Sequence, residues 1–110
     1  MKIDVSLRAI TINGNIKSVD DSKEIKNAID KIVVSGKDVA LNIIDSISIT
    51  SSVIIYLKEL ILNDNINVQI NAGKPALIEL LDDLKLTSVF RAKKSIEYSQ
   101  QKISTTKMEN

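Results

Sequence analysis

The chain has 110 residues, of which 44% are hydrophobic and 26% are charged, as in one folded domain of ordinary size. It contains no cysteine and no histidine, which excludes disulfide frameworks, thiol nucleophiles, most hydrolase triads and most zinc enzymes. The 15 basic and 14 acidic residues are interspersed and leave a net charge of +1, a balance that does not predict nucleic-acid binding.

Strand and helix patterns alternate in the first half of the chain. Residues 3–7 alternate apolar and polar side chains, as in a half-buried strand, and residues 10–12 continue with the opposite parity. The change at residues 8–9 requires either a tight turn or a β-bulge. Residues 18–36 predict an amphipathic helix with acidic residues in its first turns. The apolar run at residues 39–44 predicts a central strand covered on both faces, which favours a parallel sheet.

The second half continues this alternation. After a polar loop, the pattern predicts a helix over residues 52–63 and a strictly alternating strand over residues 65–71. Pro75 suits the first position of a third helix, where its missing N–H group is harmless. The apolar residues that this third helix is expected to bury are Leu77, Leu80, Leu81 and Leu84.

Three shorter segments complete the chain. Residues 89–90 predict a short edge strand, residues 95–103 a fourth helix and residues 104–110 a flexible tail. Strands that alternate with helices in this way predict an α/β fold with right-handed crossovers. We expect one domain over residues 1–103.

The predicted helix at residues 52–63 has two apolar faces. On a helical wheel at about 100° per residue, Ile55 and Leu62 lie opposite the main apolar face and are flanked by Lys58 and Glu59. This outer pair has two explanations: either the helix receives a protein partner there, or a neighbouring helix covers it. The main face, expected to point into the core, contains Val53, Leu57, Leu60 and Ile61, with Ile54 at its edge.

Three hydroxyl residues, Thr50, Ser51 and Ser52, stand at the start of this helix. Hydroxyl side chains at such positions are ordinary N-caps, and a cap stabilises a helix by about 1 kcal/mol. The free amide groups of a helix N-terminus also suit a phosphate group. From the residue pattern alone, capping is the favoured interpretation.

Four stretches of the chain together carry a resemblance to a known family. They are Gly14-Asn15-Ile16, Val39-Ala40-Leu41-Asn42-Ile43, Thr50-Ser51-Ser52-Val53 and residues 80–90. In this order they resemble a STAS domain of the anti-anti-sigma factor type, and the resemblance extends from about residue 3 to residue 103. It implies a small mixed β-sheet with about four helices packed mainly on one side.

The loop before the second helix contains the site that the resemblance implies. Family members typically read Asp-Ser-Ser-Gly there, and a partner-switching kinase phosphorylates the first serine. The matching residue is Ser51, with Ser52 as the alternative if the register shifts by one. Thr50 stands in place of the family's aspartate and Val53 in place of its glycine, and Lys85 replaces a later glycine.

The resemblance implies a protein-binding regulator, an anti-sigma factor antagonist without enzymatic activity. Unphosphorylated, it docks on an ATP-binding anti-sigma factor or switch kinase, and phosphorylation of Ser51 prevents docking. The alternative is a constitutive STAS adaptor or subunit of a larger complex, such as a lipid-transport ATPase or a signalling scaffold. The retained serine pair favours the switch, whereas Thr50 and Val53 favour the adaptor. The residues expected to contact the partner are Thr50, Ser51, Ser52, Ile55, Lys58, Glu59 and Leu62.

Catalysis is the third class of function to consider. It requires a serine–lysine dyad formed by Ser51 with Lys58 or Lys74. Lys58 lies two helical turns from Ser51, too far for easy hydrogen bonding, and Lys74 follows a lone glycine rather than a glycine-rich loop. We therefore expect no enzymatic activity, no cofactor and no metal ion. The acids available to such a site are Asp45, Asp82 and Asp83.

The location expected from the sequence is the cytoplasm. The longest strictly apolar run, residues 53–57, is far shorter than the roughly 20 residues of a membrane span. The first residues alternate apolar and charged side chains, unlike a signal peptide. We expect a protein partner, no nucleic acid and no direct membrane insertion.

Overall fold

Five strands and three helices alternate in residues 1–94, the part of the chain that the computed structural model describes. The predicted α/β class is confirmed. The fourth helix and the tail predicted over residues 95–110 lie outside the described residues. The strands are β1 (Lys2–Val5), β2 (Ala9–Asn13), β3 (Asp38–Ile43), β4 (Asn67–Ala72) and β5 (Lys93–Lys94). The helices are α1 (Val19–Val33), α2 (Ser51–Asp64) and α3 (Pro75–Asp83).

The strands form one mixed sheet in the order β1-β2-β3-β4-β5. β1 pairs antiparallel with β2, and the other three pairs are parallel. The register places Ile10 opposite Leu41 and Leu41 opposite Ile70. Since residues directly opposite each other point to the same face, these side chains form an apolar row across the sheet.

The core lies on one face of the sheet, where all three helices contribute to a single hydrophobic cluster. In β3, Val39 and Leu41 are buried, while Ala40 and Asn42 between them are only half-buried. Within residues 1–94, helices therefore cover this strand on one face, not on both as predicted. Its second face carries Asn42, whose side chain accepts a hydrogen bond from Asn71 Nδ2 at 2.8 Å, so this face is polar.

A turn, not a bulge, connects the first two strands. The N–H group of Ser6 donates to the carbonyl oxygen of Ala9 at 2.9 Å, which closes the hairpin. Leu7, which the alternation placed in the first strand, lies at the turn with 84% of its surface exposed. The parity change at residues 8–9 thus arises because the chain reverses direction there.

The third helix ends at Asp83, one residue before the last of the four leucines that it was predicted to bury. Leu77 and Leu81 are buried, Leu80 is half-buried, and Leu84 is 49% exposed, which corrects the prediction for Leu84. After the helix, Lys85 adopts a left-handed conformation with a φ of 61°. The chain turns there, and the next leucine, Leu86, is buried in place of Leu84.

The predicted edge strand at residues 89–90 is wrong. Phe90 lies in a turn, fully buried, and its N–H group donates to the carbonyl oxygen of Leu86 at 3.0 Å. Its own carbonyl oxygen accepts the N–H group of Ile70 in β4, also at 3.0 Å. The apolar pair therefore marks a buried anchor, and the edge strand β5 begins three residues later.

Candidate functional site

The loops that follow β2 and β3 lie side by side, and a buried serine joins them. Ser46 has no exposed surface, and its Oγ accepts the N–H group of Ile16 at 3.0 Å and donates to the carbonyl oxygen of Ser48 at 2.7 Å. The Oγ atom of Ser48 donates to the carbonyl oxygen of Ile16 at 2.9 Å. Because buried polar groups require partners, these bonds determine how the two loops meet.

Two more hydrogen bonds join these loops at the surface. Asp45 Oδ1 accepts the N–H group of Gly14 at 2.6 Å, and Asn15 Oδ1 accepts that of Ile47 at 3.2 Å. Gly14 has a φ of 100°, and a Cβ atom there would lie 2.9 Å from the Cα atom of Met1, so glycine is required. Together the two loops bring the N-termini of α1 and α2 next to each other.

A chain of hydroxyl groups connects the two helix N-termini. Thr50 is the N-cap of α2: its Oγ1 accepts the N–H group of Val53 at 3.3 Å. The same atom lies 2.7 Å from Ser22 Oγ in α1, and Ser22 Oγ donates to the carbonyl oxygen of Ser18 at 3.1 Å. Either hydroxyl can donate in the contact between Ser22 and Thr50, and in both cases it joins the two helix N-termini. The capping role expected of the hydroxyl residues therefore belongs to Thr50.

Ser51 and Ser52 occupy the first two positions of α2, and both are exposed. The first turn of α2 contains no acidic residue. The positive end of the helix dipole and the first N–H groups of the helix are therefore not balanced by a side-chain carboxylate of that turn. A phosphate group on Ser51 would lie at this positive end.

An outer stripe, which we define as Ser51, Ile55 and Leu62, runs along α2. Ile55 is 57% exposed and Leu62 is 74% exposed, with exposed Lys58 and Glu59 beside them. In residues 1–94 no helix covers this stripe. The opposite face behaves as expected: Val53, Leu57 and Leu60 are buried, and Ile54 and Ile61 are half-buried.

The N-terminus of α1 is closed by a reciprocal capping box. Ser18 Oγ accepts the N–H group of Asp21 at 3.0 Å. The Asp21 carboxylate accepts the N–H groups of Lys17 at 3.1 Å and Ser18 at 3.2 Å. These bonds, that from Lys17 first, lower the pKa of Asp21 from its ordinary value of 3.8, because they favour the charged form. The first turn of α1 thus already contains a bonded negative charge.

The two helices are also linked along their length. The Tyr56 hydroxyl in α2 donates to Asp30 Oδ1 in α1, and Lys26 Nζ lies 5.9 Å from the centre of the Tyr56 ring. Burial, and then the neighbouring Asp30 carboxylate, raise the pKa of Tyr56. These contacts hold the inner side of α2 and leave the outer stripe free of them.

The residues required for catalysis do not form a bonded constellation in the described part of the chain. Neither Lys58 nor Lys74 makes a hydrogen bond to Ser51 there. Lys74 is instead the N-cap residue of α3, and Asp45 is bonded to the loop at Gly14. Of the two acids in α3, Asp82 accepts a hydrogen bond from Thr87, and Asp83 is exposed.

Sequence reasoning missed Ser22 and Ser46, the two buried polar residues of the site. Ser22 had a signal: it stands three residues before Ile25 and seven before Ile29, on the apolar stripe of α1. A polar residue on a buried stripe indicates a specific hydrogen-bond partner. Ser46 had none, because serine is ordinary in a polar loop.

Comparison of the chain with protein-family models, with curated proteins and with solved structures found no match. Within residues 1–94, no helix has the length and apolar character that crossing a membrane requires. The function of the site is therefore inferred from its own geometry and from the resemblance noted above.

Proposed function

We propose that this chain is a non-enzymatic regulator that docks the outer stripe of α2 and the preceding loop on a protein partner. The observation that carries the proposal is the exposure of Ser51 at the start of a stripe that continues through Ile55 and Leu62. By resemblance to anti-sigma factor antagonists, the partner is an ATP-binding anti-sigma factor or switch kinase in the cytoplasm. Phosphorylation of Ser51 releases it.

Two departures from the family motif retain the geometry that the family residue favours. Thr50, in place of aspartate, is the N-cap of α2, and aspartate is itself a preferred N-cap residue. Lys85, in place of glycine, has a φ of 61°, a conformation that glycine adopts without strain. Both observations support the resemblance at positions where the residue identity does not.

The energetics of a phosphoserine at position 51 suit a binding switch. The phosphate brings about −1.5 to −2 charges beside an interface formed by Ile55 and Leu62. Burying such an anion without a paired cation costs several kcal/mol. Reversing a two-state equilibrium from 1:99 to 99:1 takes about 5.5 kcal/mol, so one phosphate is of the required size.

The same phosphate is compatible with the fold. A negative charge in the first turn of a helix is favourable by about 0.3–1 kcal/mol, and the first turn of α2 has no other acid. Ser51 does not supply the cap, which Thr50 provides. The modification therefore acts on the partner and leaves the helix intact.

A constitutive adaptor is the second candidate, and Val53 favours it. Val53 stands where the family motif has glycine, and its side chain is fully buried in the core. The start of α2 is thus anchored in the core by a side chain that the glycine of the motif lacks. In addition, Thr50 stands where the motif has an acidic residue. In this case Ser51 and Ser52 remain unmodified and the outer stripe holds one partner permanently.

Matched aspartate variants test the switch. Affinity capture from the native lysate compares the full chain with Ser51→Asp and Ser52→Asp, and mass spectrometry identifies what is captured. Ser52 lies in the same turn but about 100° around the helix from Ser51, so its variant has the same dipole effect away from the stripe. We expect Ser51→Asp to lose an ATP-binding partner that the wild type retains, and Ser52→Asp, which changes the alternative site, to lose less of it.

Stability and phosphate measurements complete this test. Ser51→Asp should unfold at the same or slightly higher denaturant concentration than the wild type, since the charge suits the helix N-terminus. Mass spectrometry of the chain from its native cell should find phosphate on Ser51. Equal capture by all three forms, with Ser51 unmodified, would contradict the switch and support the adaptor.

A further inference from the structure

The outer edge of β1 is unpaired within the described part of the chain. β1 is the first strand in the sheet order and pairs there only with β2. Its apolar side chains are partly exposed: Val5 is 51% exposed, and Met1, just before the strand, is 38% exposed. An exposed edge of this kind is a template for pairing with another strand.

The hairpin bonding shows which backbone groups point outward from β1. The Ser6 N–H group donates to Ala9, and hydrogen-bonded pairs alternate with non-bonded pairs in an antiparallel ladder. Asp4 and Lys2 therefore direct their N–H and C=O groups toward β2. Those of Ile3 and Val5 point away from the sheet and are free to bond a neighbouring strand.

We propose that β1 pairs antiparallel with β1 of a second copy of this chain, with Ile3 of one copy opposite Ile3 of the other. In this register Lys2 faces Asp4 of the second copy, and Asp4 faces its Lys2. Met1 and Val5 meet in the same way on the opposite face. The two five-stranded sheets then form one continuous sheet. This inference does not depend on the proposed function.

Charge selects both the second copy and the register. Moving the centre of the pairing by one residue places Lys2 opposite Lys2, or Asp4 opposite Asp4, and like charges directly opposite are destabilising. In the proposed register the two Lys2–Asp4 pairs are of the non-hydrogen-bonded type, in which side chains are closer. A strand that lacks an acidic and a basic residue at the matching positions forms neither pair, so these charges favour a second copy of β1.

The outward backbone bonds agree with this register. The free groups of Ile3 in one copy face those of Ile3 in the other and form a hydrogen-bonded pair, as do those of Val5 and Met1. On the helix-covered side, where Ile3 and Val5 share a face with Ile12 and Ile10, the contact extends the apolar row. Because so few residues take part, the interface is small, and the dimer dissociates on dilution.

Sedimentation of the full chain over a concentration series tests the association. We expect the mass to rise from 12.1 kDa toward twice that value as the concentration increases. Asp4→Lys places Lys2 opposite lysine in both pairs and should lower the association constant about tenfold. The charge-swapped double variant Lys2→Asp/Asp4→Lys restores both pairs and should recover the wild-type constant. In β2 these positions face Asn13 and Thr11, which are uncharged, so the hairpin is unaffected.

A cysteine cross-link tests the register, since the chain has no native cysteine. Opposed Ile3→Cys residues would have Cα atoms about 5.5 Å apart, within disulfide range, and should form a dimer under oxidation. Val5→Cys is the matched control on the same face, because its two copies lie about 14 Å apart. A chain that stays monomeric at all concentrations overturns the proposal. So does association that ignores Asp4→Lys, or equal cross-linking of Ile3→Cys and Val5→Cys.

Discussion

Helices α1 and α2 start side by side after β2 and β3, but their N-termini are built in different ways. The first turn of α1 contains a capping box in which Ser18 and Asp21 bond each other reciprocally. The first turn of α2 has the single cap Thr50 and no acid, and the two serines that follow are exposed. The N-terminus of α1 already has a carboxylate bonded to its backbone, whereas that of α2 has no negative charge in its first turn.

The N-terminus of α1 therefore has a structural role, and that of α2 is the one proposed to have a function. Asp21 supplies within the fold the negative charge that the dipole of α1 favours. At α2 the corresponding charge is absent, so adding it to Ser51 changes the surface without displacing a native bond of the cap. Substitutions at either N-terminus, or at the connection between the two, should therefore differ in their cost to stability.

The largest effect is expected where the two loops join. Ser46→Ala leaves the N–H group of Ile16 and the carbonyl oxygen of Ser48 without their buried partner. Each orphaned group costs about 1–3 kcal/mol, so we expect a loss of about 3 kcal/mol in the free energy of unfolding. Denaturant unfolding measures it. Ser48→Ala, which removes one bond from a half-buried residue, should cost less, and equal losses would contradict the central role of Ser46.

The cap of α2 should have an intermediate effect. Thr50→Val removes the bond to the Val53 N–H group and the hydrogen bond to Ser22, and we expect a loss of about 1–2 kcal/mol in the free energy of unfolding. Thr50→Ser retains the hydroxyl and should lie within about 0.5 kcal/mol of the wild type. If Thr50→Val unfolds at the wild-type denaturant concentration, Thr50 is not the cap that stabilises α2.

The smallest effect concerns the pH dependence of the capping box. The pKa of Asp21 is lowered in the folded chain, so its charge stabilises the fold at neutral pH. That contribution is lost as the pH falls below about 4 and passes through the folded pKa. Asp21→Asn should therefore be less stable than the wild type at pH 7, with the difference shrinking in acid.

The control for this experiment is Asp20→Asn, which removes a carboxylate from the same turn but leaves the capping box intact. Unfolding curves of the three forms at several pH values give the comparison. A difference between Asp21→Asn and the wild type that stays constant down to the most acidic pH would rule out the charge of Asp21 as its cause.

Much of the fold was predictable from local pattern. The periodicity of Ile25 and Ile29, and that of Val53, Leu57 and Leu60, indicates which side of each helix is buried, because burial follows the period of the element. The outer position of Ile55 and Leu62 followed from the same wheel, and both are exposed. The α/β class followed from the alternation of strands and helices.

The errors arose where local pattern and tertiary packing diverge. Phe90 had the pattern of a strand but is buried within a turn, since an aromatic residue packs well in either setting. Leu84 continued the period of α3 but lies beyond the helix end, and Leu86 is buried instead. Ala40 and Asn42 stand in an apolar run, but one face of their strand has no helix over it in residues 1–94.

Local patterns were enough to predict the order of the elements and the inner and outer faces of α2, because neighbouring residues specify both. That Thr50 is the cap, and that Ser51 is exposed beside it, followed only from the folded arrangement. That division depends on Ser22, 28 residues away along the chain, and on the bond of Ser46 to Ile16 across 30 residues. Helix and strand periodicity reports only on residues that are close in the chain. It therefore does not predict hydrogen bonds between residues as distant as these.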